Sequence, residues 1–120
     1  MAREIAIKRV YAPPETADGF RVLVDRVWPR GVSKERAAID AWYREVAPSD
    51  ALRTWFGHEP RRWKGFAERY REELRDPAVR ERLRALLREA GDRRITLVYS
   101  AADEQHNQAV VLRDVLRRLR

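Results

Sequence analysis

The sequence predicts a single α/β domain in which a largely parallel sheet of about three strands packs against four or five helices. Two apolar runs of strand length, Val22–Val24 and Ile95–Tyr99, are separated by a long stretch with helical periodicity. A strand, a helical crossover and a second strand in this order favour a parallel pair. A chain of 120 residues has room for one hydrophobic core, so residues 1–120 are assigned to one domain.

The first strand is expected over about residues 4–11, where Ile5 and Ile7 alternate with polar residues. Pro13-Pro14 and Asp18-Gly19 indicate a loop before the second strand, which is expected at about residues 21–27. This loop is too short for a helical crossover. The two strands therefore form either an antiparallel pair or an irregular parallel connection.

Capping residues and apolar spacing predict the first helices. Ser33 is expected to cap a helix from Lys34 to Val46, because apolar residues recur there at helical spacing. Ser49 is expected to cap a short helix that Gly57 ends.

Three further elements complete the prediction. Pro60 suits the first turn of one helix, and another runs from the Asp76 cap to Gly91. A buried strand follows at about residues 94–100. The last helix is expected to reach about Leu119, with Asp103 or Ser100 as its cap.

Polar side chains follow both apolar strands at the point where each strand ends. Asp25, Arg26, Trp28 and Arg30 follow the apolar core Val22–Val24 of the second strand, and the segment from Ser100 to Asn107 follows the last strand. Ligands of parallel sheets bind beyond the carboxyl ends of the strands. We therefore expect these two segments to line one site.

Arg26 and Arg30 are candidates for an anion clamp, because guanidinium groups present a rigid fork of donors to phosphate or carboxylate. The alternative is an internal ion pair with Asp25 or Asp103. Trp28, beside the two arginines, is suited to stacking on a planar ligand.

Asp103, His106 and Asn107 are expected in the first turn of the last helix, where free backbone N–H groups favour an anion. His106 is a candidate general acid or base, oriented by Asp25 or Asp103. Asn107 would then stabilise developing negative charge. The alternative is that Asp103 only caps the helix and His106 only covers its end.

Three more residues are assigned to ligand binding. Tyr99 and Ser100 stand where a strand becomes a turn, although the glycine-flanked surroundings of a nucleophilic serine are absent. His58 lies between two helices and is expected either over the cleft as part of a lid or at a helix end.

Composition excludes several kinds of site. Without cysteine, the chain has no disulfide, thiolate metal site or cysteine nucleophile. Two histidines do not predict a zinc site, although carboxylates could hold a weakly bound cation, and no metal ligand is assigned. Neither a phosphate-binding loop nor a dinucleotide fingerprint is present, so ATP hydrolysis is disfavoured and the cofactor is left unassigned.

The net charge of +7 makes nucleic acid a possible partner. Many arginines, however, lie close to a glutamate at helical spacing, which favours solvated helix faces over a nucleic-acid groove. No apolar run of membrane-spanning length and no signal-type N-terminus is visible. A cytoplasmic location without a membrane partner is expected, and the oligomeric state is left open.

Motifs along nearly the whole chain carry a family resemblance. They are Phe20 to Gly31, Ser33 to Glu35, Ala47 to Ser49, Leu52 to His58, Trp63, Phe66, Arg69-Tyr70, Thr96 to Tyr99 and Asp103 to Ala109. Together they resemble the YeaO-like branch of domain-of-unknown-function family 488, a group of uncharacterised bacterial proteins. The resemblance implies a small cytoplasmic α/β protein and supplies no established reaction.

The resemblance also implies that Asp25-Arg26 and the Asp103 to Asn107 segment are signature elements. Relatives in the broader family often carry a cysteine and a Cys-His-Arg triplet where this sequence has Tyr99 and Asn107-Gln108-Ala109. A thiol activity is therefore not expected to extend to this chain.

The leading hypothesis is a protein that binds a phosphate- or carboxylate-bearing small molecule or nucleotide, with hydrolase or transferase activity as one form of it. One alternative is a nucleic-acid binding or processing module with an arginine-rich surface. The other is a non-catalytic adaptor that has lost the catalytic residues of its relatives.

Overall fold

Four parallel strands form the central sheet of the protein in a computed structural model, which describes residues 4–119. The strands are β1 (Ile5–Arg9), β2 (Phe20–Leu23), β3 (Ala41–Trp42) and β4 (Ile95–Tyr99), in the spatial order β1-β4-β2-β3. Ile95 of β4 stands opposite Ile5 on one side and Phe20 on the other. The α/β class and the parallel pair are confirmed, and the sheet has one strand more than predicted.

β1 and β2 point in the same direction without pairing, because both run parallel to β4, which lies between them. The irregular parallel connection is thereby confirmed. It contains one 3₁₀ turn, at Thr16–Asp18. Gly19 closes it with a φ of +69°, and a Cβ there would stand 2.3 Å from the carbonyl oxygen of Arg94. The turn therefore requires glycine.

The predicted helix from Lys34 to Val46 is wrong. Ser33 caps α1 as expected, but α1 covers only Lys34–Ala37. Ala38 ends it in the left-handed conformation, with a φ of +48°. β3 and a 3₁₀ turn at Arg44–Val46 occupy the rest of the segment.

Backbone hydrogen bonds to the sheet explain this departure from the helical pattern. The N–H of Asp40 donates to the carbonyl of Arg21 at 2.8 Å, and the N–H of Tyr43 donates to the carbonyl of Leu23 at 3.0 Å. The two N–H groups gain hydrogen-bond partners on β2 that a helix end would not supply. Pairing with β2 therefore outweighs the helical spacing of the apolar residues in this segment.

The remaining predicted helices are present. They are α2 (Asp50–Phe56), α3 (Trp63–Glu73), α4 (Pro77–Ala90) and α5 (Gln108–Arg118). Ser49 caps α2, Gly57 ends it, and Asp76 caps α4, all as expected. Pro60 opens a 3₁₀ turn that leads into α3. Within residues 4–119, none of the helices is long and apolar enough to cross a membrane.

The two faces of the sheet carry apolar clusters of different size. Val22 and Leu97 belong to the larger cluster, which includes side chains of α2 to α5. Leu23 and Val98 belong to the smaller cluster, together with Ala37 of α1. Because side chains alternate between faces, β2 and β4 are buried on both sides, as expected for strands with continuous apolar sequence.

A buried ion cluster of Lys8, Asp18 and Arg21 fastens the loop before β2 to the sheet. Asp18 accepts hydrogen bonds from Arg21 Nη1 at 2.6 Å and from Lys8 Nζ at 3.0 Å. Arg21 also donates to the carbonyls of Ala37 and Ala38, at the end of α1. Although burial opposes it, hydrogen bonds from a backbone N–H and from both cations lower the pKa of Asp18.

Candidate functional site

The ends of β2 and β4 bring the two predicted segments together. The N–H of Val24 donates to the carbonyl of Val98 at 3.0 Å, which continues the parallel ladder past β2. Beyond it, Ser100 Oγ donates to Asp25 Oδ2 at 2.5 Å. The two segments therefore meet at one edge of the sheet, as the sequence predicts.

A cleft of about 800 Å³ opens at this edge. Nine of the ten predicted site residues line it, and Tyr99 does not. The nine are Asp25, Arg26, Trp28, Arg30, His58, Ser100, Asp103, His106 and Asn107. The volume lies in the range of cavities that bind small molecules.

Asp25 is the buried carboxylate of the cleft, with only 7% of its surface exposed. Gln108 Nε2 donates to its Oδ1 at 2.6 Å, opposite the Ser100 contact on Oδ2. Burial raises the pKa of Asp25, because the loss of hydration outweighs the hydrogen bonds from Ser100 and Gln108.

Arg26 does not present a free fork of donors to the cleft. Its Nε donates to the carbonyl of Pro48 at 2.9 Å, and its Nη2 donates to the carbonyl of Ala47 at 2.8 Å. Both bonds tie the end of β2 to the loop before α2. Among the described residues, Arg26 forms no ion pair with Asp25 or Asp103, so the alternative of an internal ion pair is absent there.

Arg30 is available to a ligand. Its side chain is exposed and has no hydrogen bond or ion pair within residues 4–119, while its carbonyl accepts from Tyr11 Oη at 3.1 Å. Trp28 is more constrained: its Nε1 donates to the carbonyl of Val32 at 2.7 Å, and its ring packs edge-on against Trp42.

The prediction that Asp103, His106 and Asn107 form the first turn of the last helix is wrong. Asn107 itself caps α5, because its Oδ1 accepts from the N–H groups of Ala109 and Val110. The three residues therefore lie in the turn that precedes α5. The Nδ2 of Asn107, which is the group that could stabilise negative charge on a ligand, donates to the carbonyl of Asp103 at 2.9 Å.

Asp103 organises that turn instead of capping the helix. Its Oδ1 accepts from the N–H groups of Gln105 and His106, and its Oδ2 lies 2.9 Å from His106 Nδ1. These hydrogen bonds, led by the one from Gln105, lower the pKa of Asp103. The imidazole also packs edge-on against Trp63, with 5.3 Å between ring centroids. The expected orientation of His106 by a carboxylate is thus present.

Tyr99 and His58 differ in their access to the cleft. Tyr99 is 1% exposed, and burial raises its pKa. It belongs to the larger apolar cluster of the core. His58 is exposed, and its ring lies beside that of Phe56. Both Gly57 and His58 have positive φ.

Sequence reasoning missed Arg53, Thr54 and Gln108, which also line the cleft. Arg53 forms an ion pair with Asp50 at 3.0 Å, and both side chains are well exposed. Asp50, Arg53 and Thr54 are spaced as one face of α2, which is a signal that could have identified them. Gln108 directly follows a predicted segment.

Within residues 4–119, no His, Cys, Asp or Glu side chains form a group that could hold a metal ion.

Comparison with known proteins identifies the family of the chain. The model of the inactive DUF488-N3 subclade matches residues 4–119. The chain is 43% identical over 116 residues to the uncharacterised protein YeaO of Escherichia coli, covering 96% of this chain and 98% of that protein. It is 41% identical over 118 residues to an uncharacterised protein of Mycobacterium tuberculosis, covering 97% of this chain and 98% of that protein. No solved structure matches significantly. The chain therefore belongs to the inactive DUF488-N3 subclade of the DUF488 proteins.

Proposed function

We propose that this protein binds a small phosphate- or carboxylate-bearing molecule in the cleft without catalysing its conversion. The observation that carries the proposal is the pair of accessible guanidinium groups, Arg30 and Arg53, on a cavity of small-molecule size. Arg30 has no competing partner within residues 4–119. The pair of Arg53 with Asp50 is exposed and therefore weak enough to be exchanged for a ligand anion.

The hydrogen bonds of the cleft favour binding over a hydrolase or transferase mechanism. Ser100 donates its hydroxyl proton to a carboxylate, and no hydrogen bond joins Ser100 to His106 within the described residues. His106 is held by Asp103, and among residues 4–119 no hydroxyl group hydrogen-bonds to its imidazole. The chain also has no cysteine, and the subclade is described as inactive.

The arginine-rich surface offers less support for nucleic acid as the ligand. Arg44, Arg69 and Arg82 stack on aromatic rings, with centroid distances of 3.9, 3.8 and 3.9 Å. Other exposed arginines pair with acidic neighbours, as Arg75 does with Glu72. The ion pairs offset part of the positive charge that a phosphate backbone would need, and the stacked arginines are held against aromatic rings.

Isothermal titration calorimetry and thermal unfolding with inorganic phosphate, ethyl phosphate and acetate test the proposal. At about a hundredfold its Kd, ethyl phosphate should stabilise the protein by about 2.7 kcal/mol. This corresponds to a rise in Tm of about 10 °C for a chain of this length. The variant Arg30→Ala/Arg53→Ala should lose this response.

A matched control variant also removes two positive charges, but outside the cleft. Arg36 and Arg80 lie outside the cleft, so Arg36→Ala/Arg80→Ala should bind as the wild type does. Equal losses of affinity for ethyl phosphate in both double variants would contradict the proposal. The absence of both binding and a rise in Tm with every anion would contradict it as well. Phosphorus NMR of the wild-type sample checks the absence of turnover: hydrolysis of ethyl phosphate that His106→Ala abolishes would make the protein an enzyme.

A further inference from the structure

Among residues 4–119, no cationic side chain pairs with the carboxylate of Asp25. Its hydrogen bonds come from a hydroxyl and an amide, those of Ser100 and Gln108, and within residues 4–119 it forms no ion pair with Lys, Arg or His. Arg53 attracts it only at longer range. A buried charge whose neighbours are all neutral is unfavourable unless a counter-charge reaches it.

Asp18 shows how this chain treats a carboxylate buried to a similar degree. Asp18 is 8% exposed and Asp25 is 7% exposed. Asp18 contacts two cations, Lys8 and Arg21, in the buried ion cluster. Asp25 differs from it in lining a cavity, so a cation can approach from the cleft.

The two arginines and the buried carboxylate of the cleft lie at different depths. Arg30 and Arg53 are exposed and form its rim together with the more exposed carboxylates Asp50 and Asp103, whereas Asp25 is buried and forms its floor. A ligand with a single anionic group would pair with Arg30 and Arg53 at the rim and leave Asp25 at the floor without a counter-charge. A ligand with opposite charges at its two ends satisfies both.

We propose that the natural ligand is bipolar, with its phosphate or carboxylate on Arg30 and Arg53 and a primary ammonium group that donates to Asp25. This inference rests on the proposed function and narrows the ligand to amino-phosphates and amino acids. An ammonium group has three donors, and the Asp25 carboxylate retains acceptor capacity beside its bonds to Ser100 and Gln108.

Paired probes that differ only in the amine test the inference by calorimetry near neutral pH. Phosphoethanolamine is compared with ethyl phosphate, and aminopropyl phosphate with propyl phosphate, so that two lengths are sampled. Because a hydrogen bond to a charged group contributes about 1.5–3 kcal/mol, at least one amine should bind about tenfold tighter or more than its alkyl counterpart. Asp25→Asn should remove this gain, so that each amine and its alkyl counterpart bind the variant with similar affinity. The control Glu35→Gln, which removes one exposed negative charge outside the cleft, should retain it.

The outcomes separate this inference from the proposed function. If the amines bind no tighter than the alkyl phosphates, the ammonium site is wrong and the anion site stands. Glycerol phosphate binding tighter than both amines would overturn the inference in favour of a floor that recognises hydroxyl groups. If no phosphate binds at all, both proposals fail. The wild-type comparison decides the matter even if Asp25→Asn does not fold.

Discussion

Replacing Arg26 by alanine distinguishes a structural role of this arginine from a role in anion binding. Its Nε and Nη2 donate to the carbonyls of Pro48 and Ala47, which connect the end of β2 to the start of α2. Both carbonyl-bearing residues are buried, so water cannot fully replace the lost donors. We therefore expect Arg26→Ala to destabilise the fold.

The magnitude follows from the two hydrogen bonds. Each bond to a charged donor contributes about 1.5–3 kcal/mol. Because Arg26 is partly exposed and the two bonds share one side chain, the combined loss should be about 2–4 kcal/mol. For a chain of 120 residues this lowers Tm by about 8–16 °C.

Urea denaturation at neutral pH measures the change, with Arg36→Ala as the exposed control, which should stay within about 0.5 kcal/mol of the wild type. Binding of ethyl phosphate to folded Arg26→Ala should weaken less than in Arg30→Ala. An Arg26→Ala protein of wild-type stability that no longer binds ethyl phosphate would refute this reasoning and restore Arg26 as the anion clamp.

Two further substitutions test the fold. Asp18→Asn breaks the buried pair with Arg21 and should lower the free energy of unfolding by about 3–5 kcal/mol in urea melts. Because folding lowers the pKa of Asp18, its stabilisation is complete above the unfolded value of 3.8 and is lost as pH falls through the folded value. The wild type should thus lose more stability than Asp18→Asn between about pH 4 and pH 2, and parallel losses would contradict the ion cluster. Ala38→Gly should raise the free energy of unfolding by about 0.5–1 kcal/mol, because glycine adopts the left-handed conformation without strain. A lower free energy of unfolding in Ala38→Gly than in the wild type would contradict the left-handed conformation of Ala38.

Local signals in the sequence were sufficient for much of the fold. The strong caps Ser49 and Asp76 and the terminal Gly57 define their helices through hydrogen bonds made within a few residues. The apolar runs of β2 and β4 and the helices between them predict a parallel pair. The meeting of Asp25 with Ser100 follows from that pair, because parallel strands end at the same edge.

The errors arose where distant contacts decide between locally equivalent conformations. Residues 34–46 have an amphipathic helical pattern, but the Trp42 indole donates to the carbonyl of Asp25 and β3 pairs with β2. Asp103 and Asn107 are both good caps, four positions apart, and the cap of α5 is Asn107. Neither outcome can be identified from local spacing.

The partners of the charged site residues were the least predictable feature. An arginine after a strand has the same sequence signal whether its guanidinium group is exposed without a partner, as Arg30 is within residues 4–119, or donates to backbone carbonyls, as Arg26 does. The floor of the cleft likewise depends on Gln108, which reaches Asp25 from 83 positions away. Only the three-dimensional arrangement shows that Asp25 has neutral partners.

An NMR titration of the isotope-labelled protein with ethyl phosphate tests the central claim, that the cleft binds an anion, most directly. Saturable shifts are expected for the backbone amides of residues 25–28, Arg30, Arg53, residues 100–103 and residues 106–108, all of which line the cleft. Arg113 and Arg117 on α5, which line a separate groove against α3, should not respond. Shifts that are largest on α5, or that grow linearly without saturation across all exposed arginines, would contradict the account.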